Sequence, residues 1–345
     1  MKRISTWLSP LLVGAFLLIP TASLAASFDC GKAATHNEKR ICALPRLSEM
    51  DTKLDALYKK LATGADAAAW NADQQAWLKE RNNCEYVGCL LRRYNERLVV
   101  LENSAKPFQW KGGWQRVDSS GGHNAASLTL SVAPQGVKFN ITAMAGANAG
   151  ELEGVAALDK KQSSAIYTDG KTINCKLTFR QKLNRIVVET AAVEKGKAID
   201  CGAGVGVIYD GDYVAAAKDP NPQADLLTLG VVNTPEQDAA IRKLTGKDYS
   251  TLVMTADVIS DTSEDAKMPG VTMISTYVRG LASSVRAIVM RDEQDHYWIG
   301  VWQDADGGKV EMRYYTNVAA DKKKLPKAIA NEVDPANGVV VRMMP

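Results

Sequence analysis

Between Leu101 and Lys111 the apolar residues change their spacing from every third or fourth position to every second, and no single regular element satisfies both patterns. Before the change, Leu47, Met50, Leu54, Leu57, Tyr58 and Leu61 recur at helical steps, as do Leu90, Leu91, Tyr94, Leu98 and Leu101. These stripes predict four helices over residues 28–103. Thr35-His36-Asn37-Glu38 has the form of a capping box, so a first short helix runs to about Ala43. Pro45 can open the second helix and Gly64 can end it in a left-handed cap. Asp66 can cap a third, with Trp70, Gln74, Trp77, Leu78 and Arg81 along one side. Helices this short enclose a thin core, so covalent staples are expected.

Beyond Pro107 the runs are short and alternating, at residues 127–133, 137–144, 173–179 and 185–191, with Gly- and Asn-containing turns between them. This pattern predicts an all-β barrel or sandwich over residues 108–218. Residues 218–225 (KDPNPQAD) read as a Pro-rich linker. The remainder, residues 226–345, mixes elements. A helix opens at Thr234-Pro235-Glu236 and runs through Leu244, and strands are expected over 250–259, 271–278, 284–290, 296–302 and 309–315. Asp306-Gly307-Gly308 marks a hairpin, and a helix near 321–331 precedes a final strand near 338–343. The chain therefore reads as multidomain: an all-α four-helix module (26–104), an all-β barrel or sandwich module (108–218) and an α+β module (226–345).

At the N-terminus, Lys2 and Arg3 precede an almost entirely apolar stretch over residues 7–20, followed by small residues at Ser23 and Ala25. This is the pattern of a signal peptide cleaved after Ala25, or alternatively after Ala26. The apolar run is shorter than the roughly 20 residues that span a bilayer, and no later segment is apolar enough to span. Ser27, Phe28 and Asp29 separate the cleavage region from Cys30, which argues against lipidation. A periplasmic destination follows. There the even set Cys30, Cys42, Cys84, Cys89, Cys175 and Cys201 is expected to form disulfides. The spacings contain no CxxC, and His36, His123 and His296 lie far apart, so neither a metal nor a cofactor is expected. Without Lys2 and Arg3 the chain has 40 basic and 39 acidic side chains and no basic stripe, which disfavours nucleic-acid binding.

Phe28-Asp29-Cys30 is followed by Glu38-Lys39-Arg40-Ile41-Cys42, the stripe from Leu54 to Leu61, and Gln75-Ala76-Trp77-Leu78-Lys79-Glu80-Arg81-Asn82-Asn83-Cys84. Cys89-Leu90, Tyr94 and Arg97-Leu98 complete the series. In order, spacing and cysteines these residues resemble the N-terminal domain of the lysozyme inhibitor LprI-like family. The resemblance covers about 75 residues and does not extend to the β-rich or C-terminal regions. It implies an exported helical module in proteins linked to inhibition of lysozyme, with no short catalytic motif to carry over. Four cysteines allow three connectivities. Cys30–Cys42 with Cys84–Cys89 is favoured because each pair brackets one short helix or loop, and crossed pairing stays open. Cys175 and Cys201 can staple the β region. Trp77 and Leu78 are expected in the core, and Arg40, Arg81 and Arg97 can pair with Glu38, Glu80 and Glu96 or with other carboxylates.

No GxSxG elbow, Walker loop or GxGxxG opening a helix occurs, and six paired cysteines leave no thiol nucleophile. His123 in a Gly-rich turn, His296 beside Tyr297, and the pair Glu151 and Glu153 are the remaining candidates for acid–base chemistry. Charge is more informative. Residues 219–345 carry 18 acidic and 14 basic side chains, with the acids gathered in expected loops: Asp261, Glu264 and Asp265, then Asp292, Glu293 and Asp295, then Asp304 and Asp306. Many lysozymes are basic, and an acidic face speeds encounter with a basic partner. Trp298 and Trp302 share one strand face, in the core or as an interface anchor. The expected function is inhibition, by protein binding, of lysozyme or another cell-wall-degrading enzyme. The alternatives are an immunity protein against a periplasm-targeted toxin, an envelope enzyme with its site at the seam of the β and α+β regions, and a structural envelope factor.

Overall fold

A computed structural model of the chain describes residues 26–169, 172–333 and 338–345. The expected signal peptide, residues 1–25, lies outside the described residues. The stapled module comprises α1 (His36–Ala43), α2 (Pro45–Leu61), α3 (Ala67–Asn82) and α4 (Val87–Glu102). The capping box forms: Glu38 N donates to Thr35 Oγ1 at 3.2 Å, and Thr35 N donates to Glu38 Oε2 at 2.8 Å. Two expected caps do not form. Ala62 closes α2 in a right-handed turn, donating to Tyr58 O at 2.9 Å, and Gly64 is not among the left-handed glycines. Asp66 occupies the N-cap position of α3, but its near-helical φ/ψ of −92°/14° leaves its carboxylate without a capping bond. Cys30–Cys42 ties the 3-10 turn Cys30–Lys32 to α1, and Cys84–Cys89 closes the loop between α3 and α4.

Eight antiparallel strands follow in sequence order: β1 (Gly112–Arg116), β2 (Ala126–Ala133), β3 (Gly136–Ala145), β4 (Asn148–Leu158), β5 (Ser164–Asp169), β6 (Cys175–Lys182), β7 (Arg185–Ala191) and β8 (Gly211–Ala215). β8 pairs back with β1, so the sheet is a closed barrel rather than a sandwich. Leu128, Leu130, Phe139, Ile141, Leu177, Phe179, Ile186 and Val188 alternate into its interior, where Trp114, Tyr209 and Tyr213 join them in one cluster. An eight-stranded barrel is narrow enough for side chains to fill. Cys175–Cys201 fastens the start of β6 to the long β7–β8 connection.

The last region contains α5 (Leu226–Leu229), α6 (Pro235–Thr245) and α7 (Tyr249–Thr255), then β9 (Val258–Asp261), β10 (Thr272–Tyr277), β11 (Arg286–Arg291), β12 (Tyr297–Ala305), β13 (Lys309–Thr316), α8 (Lys327–Asn331) and β14 (Val340–Met343). The sheet order is β14-β13-β12-β11-β10-β9, antiparallel except for the parallel β13–β14 pair. The strand expected over 250–259 is mostly helix. Tyr249, Leu252, Thr255 and Ala256 are buried at helical spacing, and only Val258–Asp261 pairs as a strand. The helix expected near 321–331 reduces to the 3-10 turn Ala319–Asp321 and the short α8, because extended Pro326 interrupts it.

Both faces of this sheet are covered. Ala287, Val289, Tyr297, Ile299, Val301 and Tyr315 form one continuous apolar cluster with Leu226 and Leu252 and with Ile41, Leu47, Leu91 and Tyr94 of the stapled module. The opposite face carries Met273, Met290, Trp298, Trp302, Met312 and Tyr314 under Ile329 of α8. Trp298 and Trp302 are thus core residues, and neither is available as an interface anchor. The modules interlock rather than follow one another as beads. Gly88 at the start of α4 lies where a Cβ would overlap the Leu227 carbonyl oxygen of α5. Arg46 pairs with Asp225 at 2.6 Å, and Arg92 Nη1 donates to Thr228 O at 2.5 Å. The expected linker is anchored too: the Asn221 side chain accepts from Asp118 N and donates to Arg116 O, both at 2.8 Å.

Candidate protein-binding surface

Two charged features stand out, and they differ in kind. The first joins the stapled module to the barrel. Asp73, on the buried side of α3, accepts from Arg97 Nη1 of α4 at 2.6 Å and from Arg185 Nη2 of β7 at 2.7 Å. Lys182 reaches the same carboxylate at 2.9 Å, and Arg185 also holds Asp212 at 2.6 Å. Asp73, Arg97 and Arg185 are only 4%, 3% and 3% exposed. Burial pushes the Asp73 carboxyl up, but the bonds and charge of Arg185, with Arg97 and Lys182, outweigh it and hold the group well below the usual carboxylate range. A cleft of about 460 Å³ opens beside this network. Most of its rim charges are also paired: Arg93 meets Glu96 at 3.3 Å and Glu80 at 3.7 Å, and Ser119 Oγ donates to Glu96 at 2.6 Å. The buried part of this network joins the stapled module to the barrel.

Sequence reasoning did not single out Asp73. Its signal was positional: a lone carboxylate three residues after Trp70 and four before Trp77, on the apolar side of a helix. Of the three arginines expected to pair with carboxylates, Arg97 takes Asp73 in place of Glu96. Arg81 donates to Asn82 Oδ1 and to Tyr94 Oη, and Arg40 donates to Asn37 Oδ1. Trp77 is half-buried, edge-on to Tyr94 at 5.3 Å, with its Nε1 donating to Arg93 O at 3.1 Å.

The second feature is the acidic end of the C-terminal sheet. Register places Asp261 beside Ile274 and Arg291 beside Thr272, so the end of β9, the start of β10 and the end of β11 coincide. Asp261, Glu264 and Asp265 follow from β9, and Asp292, Glu293 and Asp295 form the β11–β12 turn. The first strand is two strand spacings from the other, about 10 Å. Asp304 and the turn at Asp306 fall at the far end of β12 and do not join this group.

Three of the six carboxylates build their own loops. Asp261 Oδ1 accepts from Ser263 Oγ at 2.5 Å and Ser263 N at 2.9 Å, bonds that lower its pKa. Asp292 accepts from Gln294 N and His296 N at 2.9 Å and lies 2.8 Å from His296 Nδ1. Asp295 accepts from Tyr297 Oη at 3.1 Å. Glu264, Asp265 and Glu293 are exposed and form no ion pair among the described residues.

The acid–base candidates are dispersed. Glu151 and Glu153 are exposed on the outer face of the barrel, and Asn140 Nδ2 donates to Glu151 at 2.6 Å. The barrel meets the C-terminal module where Ala147 N donates to Arg279 O at 2.9 Å, just past the end of β10. His296 is at the opposite end of that sheet, so the seam does not receive it. His123 is half-buried in its turn. Among the described residues, no group of three or more His, Cys, Asp or Glu side chains is placed to hold a metal ion.

Residues 30–101 match the family model described as lysozyme inhibitor LprI. The match takes in both disulfides of the stapled module and stops before the barrel, so the similarity is to the helical module. No curated protein and no solved structure matches the chain.

Proposed function

We propose that the protein is an exported, disulfide-braced inhibitor that binds lysozyme or another peptidoglycan-cleaving enzyme in the periplasm. The family match over residues 30–101 carries this reading. Three disulfides suit an oxidising compartment, and among the described residues no helix is long and apolar enough to cross a membrane. The acidic end of the C-terminal sheet supplies the electrostatic half of the proposal, with Asp261, Glu264, Asp265, Asp292, Glu293 and Asp295 facing a basic partner. Such a field raises the rate of encounter more than it deepens affinity. The interlocked modules would present this surface with little ordering cost on binding.

Digestion of purified peptidoglycan by c-type, g-type and i-type lysozymes, with and without micromolar mature protein, tests the reading. Slowing of at least one type at near-stoichiometric protein is the expected result. Unchanged digestion by all three would overturn lysozyme as the target.

A further inference from the structure

The helix-covered face of the C-terminal sheet is open at one corner. Asp261, Ile274 and Val289 lie side by side across β9, β10 and β11, and Ile259 is one pleat further along β9. α7 packs on β11 and α6 on β13, while Ile259 and Ile274 at the outer corner stay only half-buried. The result is a groove of about 350 Å³ with Ile259, Ile274 and Val289 as its floor, Tyr86 and Val231 as walls, and Asp261 and Arg291 at its mouth.

The Tyr86 wall comes from the stapled module. Tyr86 sits inside the Cys84–Cys89 loop and is 44% exposed. Arg92 holds it in place: Nη2 donates to Tyr86 Oη at 2.7 Å, and the guanidinium lies 5.5 Å from the ring centroid. On the far side, Gly230 takes φ +85° at the end of α5, and a Cβ there would stand 3.3 Å from the Tyr86 ring. One wall of the groove is therefore supplied by the helical module docked on the rest of the chain.

We infer that this groove receives an apolar side chain projecting from a basic surface of the inhibited enzyme, with flanking lysine or arginine residues meeting Asp261 and the carboxylates around it. The inference rests on the function proposed above. An apolar floor with a pre-positioned aromatic wall is the form in which protein interfaces concentrate their binding energy. The charge argument selects the partner: Asp261 is in the groove lining and five further carboxylates lie in the two loops at this end of the sheet, against Arg291, Lys267 and the Arg92 that holds Tyr86. Arg291 confines the partner's cations to the Asp261 side of the mouth. At this volume, near the lower end of the roughly 300–1,000 Å³ range of ligand pockets, the groove suits one or two side chains.

The test is the binding kinetics of the full mature chain with each of the c-type, g-type and i-type lysozymes, measured beside inhibition of the same enzymes. Ile259→Arg puts a cation into the floor, and Tyr86→Ala removes a solvent-exposed wall without opening the core, so it carries the test if Ile259→Arg fails to fold. Glu264→Gln/Asp265→Asn/Glu293→Gln removes exposed rim charge alone. The groove variants should dissociate about tenfold faster or more. The rim variant should associate several-fold more slowly at low salt, with the difference vanishing at high salt. Inhibition that survives both groove variants in folded protein overturns the groove and leaves the function standing. A complex that depends on the groove but does not inhibit upholds the groove and overturns the function. Absence of both complex and inhibition with all three types overturns the two together.

Discussion

Asp73 on α3 and Arg185 on β7 are 112 residues apart in sequence and joined by a 2.7 Å ion pair that is almost wholly inaccessible to solvent. The same carboxylate holds Arg97 of its own module, so one buried anion is shared between two modules. Separating the modules would take Arg185 and Lys182 away from this carboxylate and leave Arg185 with Asp212 alone.

Removal of that anion should therefore cost more than any exposed ion pair. Asp73→Ala is expected to lower stability by about 3–5 kcal/mol, the usual cost of breaking a buried pair from one side. The effect depends on pH with a fixed sign. The folded pKa of Asp73 is depressed, so its stabilisation is fully present above the ordinary carboxylate value of about 3.9 and is lost as the pH falls below it toward the folded value. Urea unfolding of wild type and Asp73→Asn should show a gap at neutral pH that narrows in acid. A gap of constant size across that range would contradict the assignment.

Gly88 should be intolerant of any side chain. Gly88→Val drives its Cβ and methyls into the backbone carbonyl of Leu227, and overpacking of this kind costs typically about 1–3 kcal/mol. Hydrogen exchange should rise in α5 (Leu226–Leu229) before it rises in the barrel. Gly64→Ala is the matched control: a Cβ there meets nothing within 4 Å, and melting should barely change.

The disulfides should rank by the loops they close. Cys175–Cys201 spans 26 residues and Cys84–Cys89 only 5. Chain entropy alone assigns about 3.5 kcal/mol to the first and about 2 kcal/mol to the second. Thermal unfolding of the two Cys→Ser double variants should show the larger loss for the barrel bridge. The smaller bridge frames Tyr86, so its removal should weaken partner binding more than its stability loss suggests.

Inhibition should weaken with salt through association. Raising the ionic strength from about 0.01 M to about 0.15 M shortens the Debye length from about 30 Å to about 8 Å. Stopped-flow association with a basic lysozyme should slow accordingly, with dissociation little changed. Salt-independent association would show that the six carboxylates do not steer the partner.

The four helices, the alternating strands and their disulfide-bearing loops were legible because each depends on neighbours within a few residues. Thr35 and Glu38 cap one turn of one helix, and Leu128 and Leu130 share a pleat whatever lies opposite. The failures came where two local readings compete. Residues 250–259 alternate weakly, and burial of Tyr249, Leu252 and Thr255 against the sheet decided for helix. For the candidate surface, the carboxylates of two loops were visible in sequence, but the register of β9, β10 and β11 alone shows that they share one end while Asp304 does not.

By itself, the sequence determined the kind of each module, the positions of the cysteines and the excess of acid in the last third, because composition and short-range periodicity encode these. Tertiary structure decided which distant groups come together: Asp73 with Arg185, Gly88 with Leu227, and Tyr86 and Ile274 in the lining of one groove. The physical reason is that a buried charge or a close backbone approach takes its meaning from its partner, and nothing in the residues adjacent to Asp73 specifies an arginine on a barrel strand.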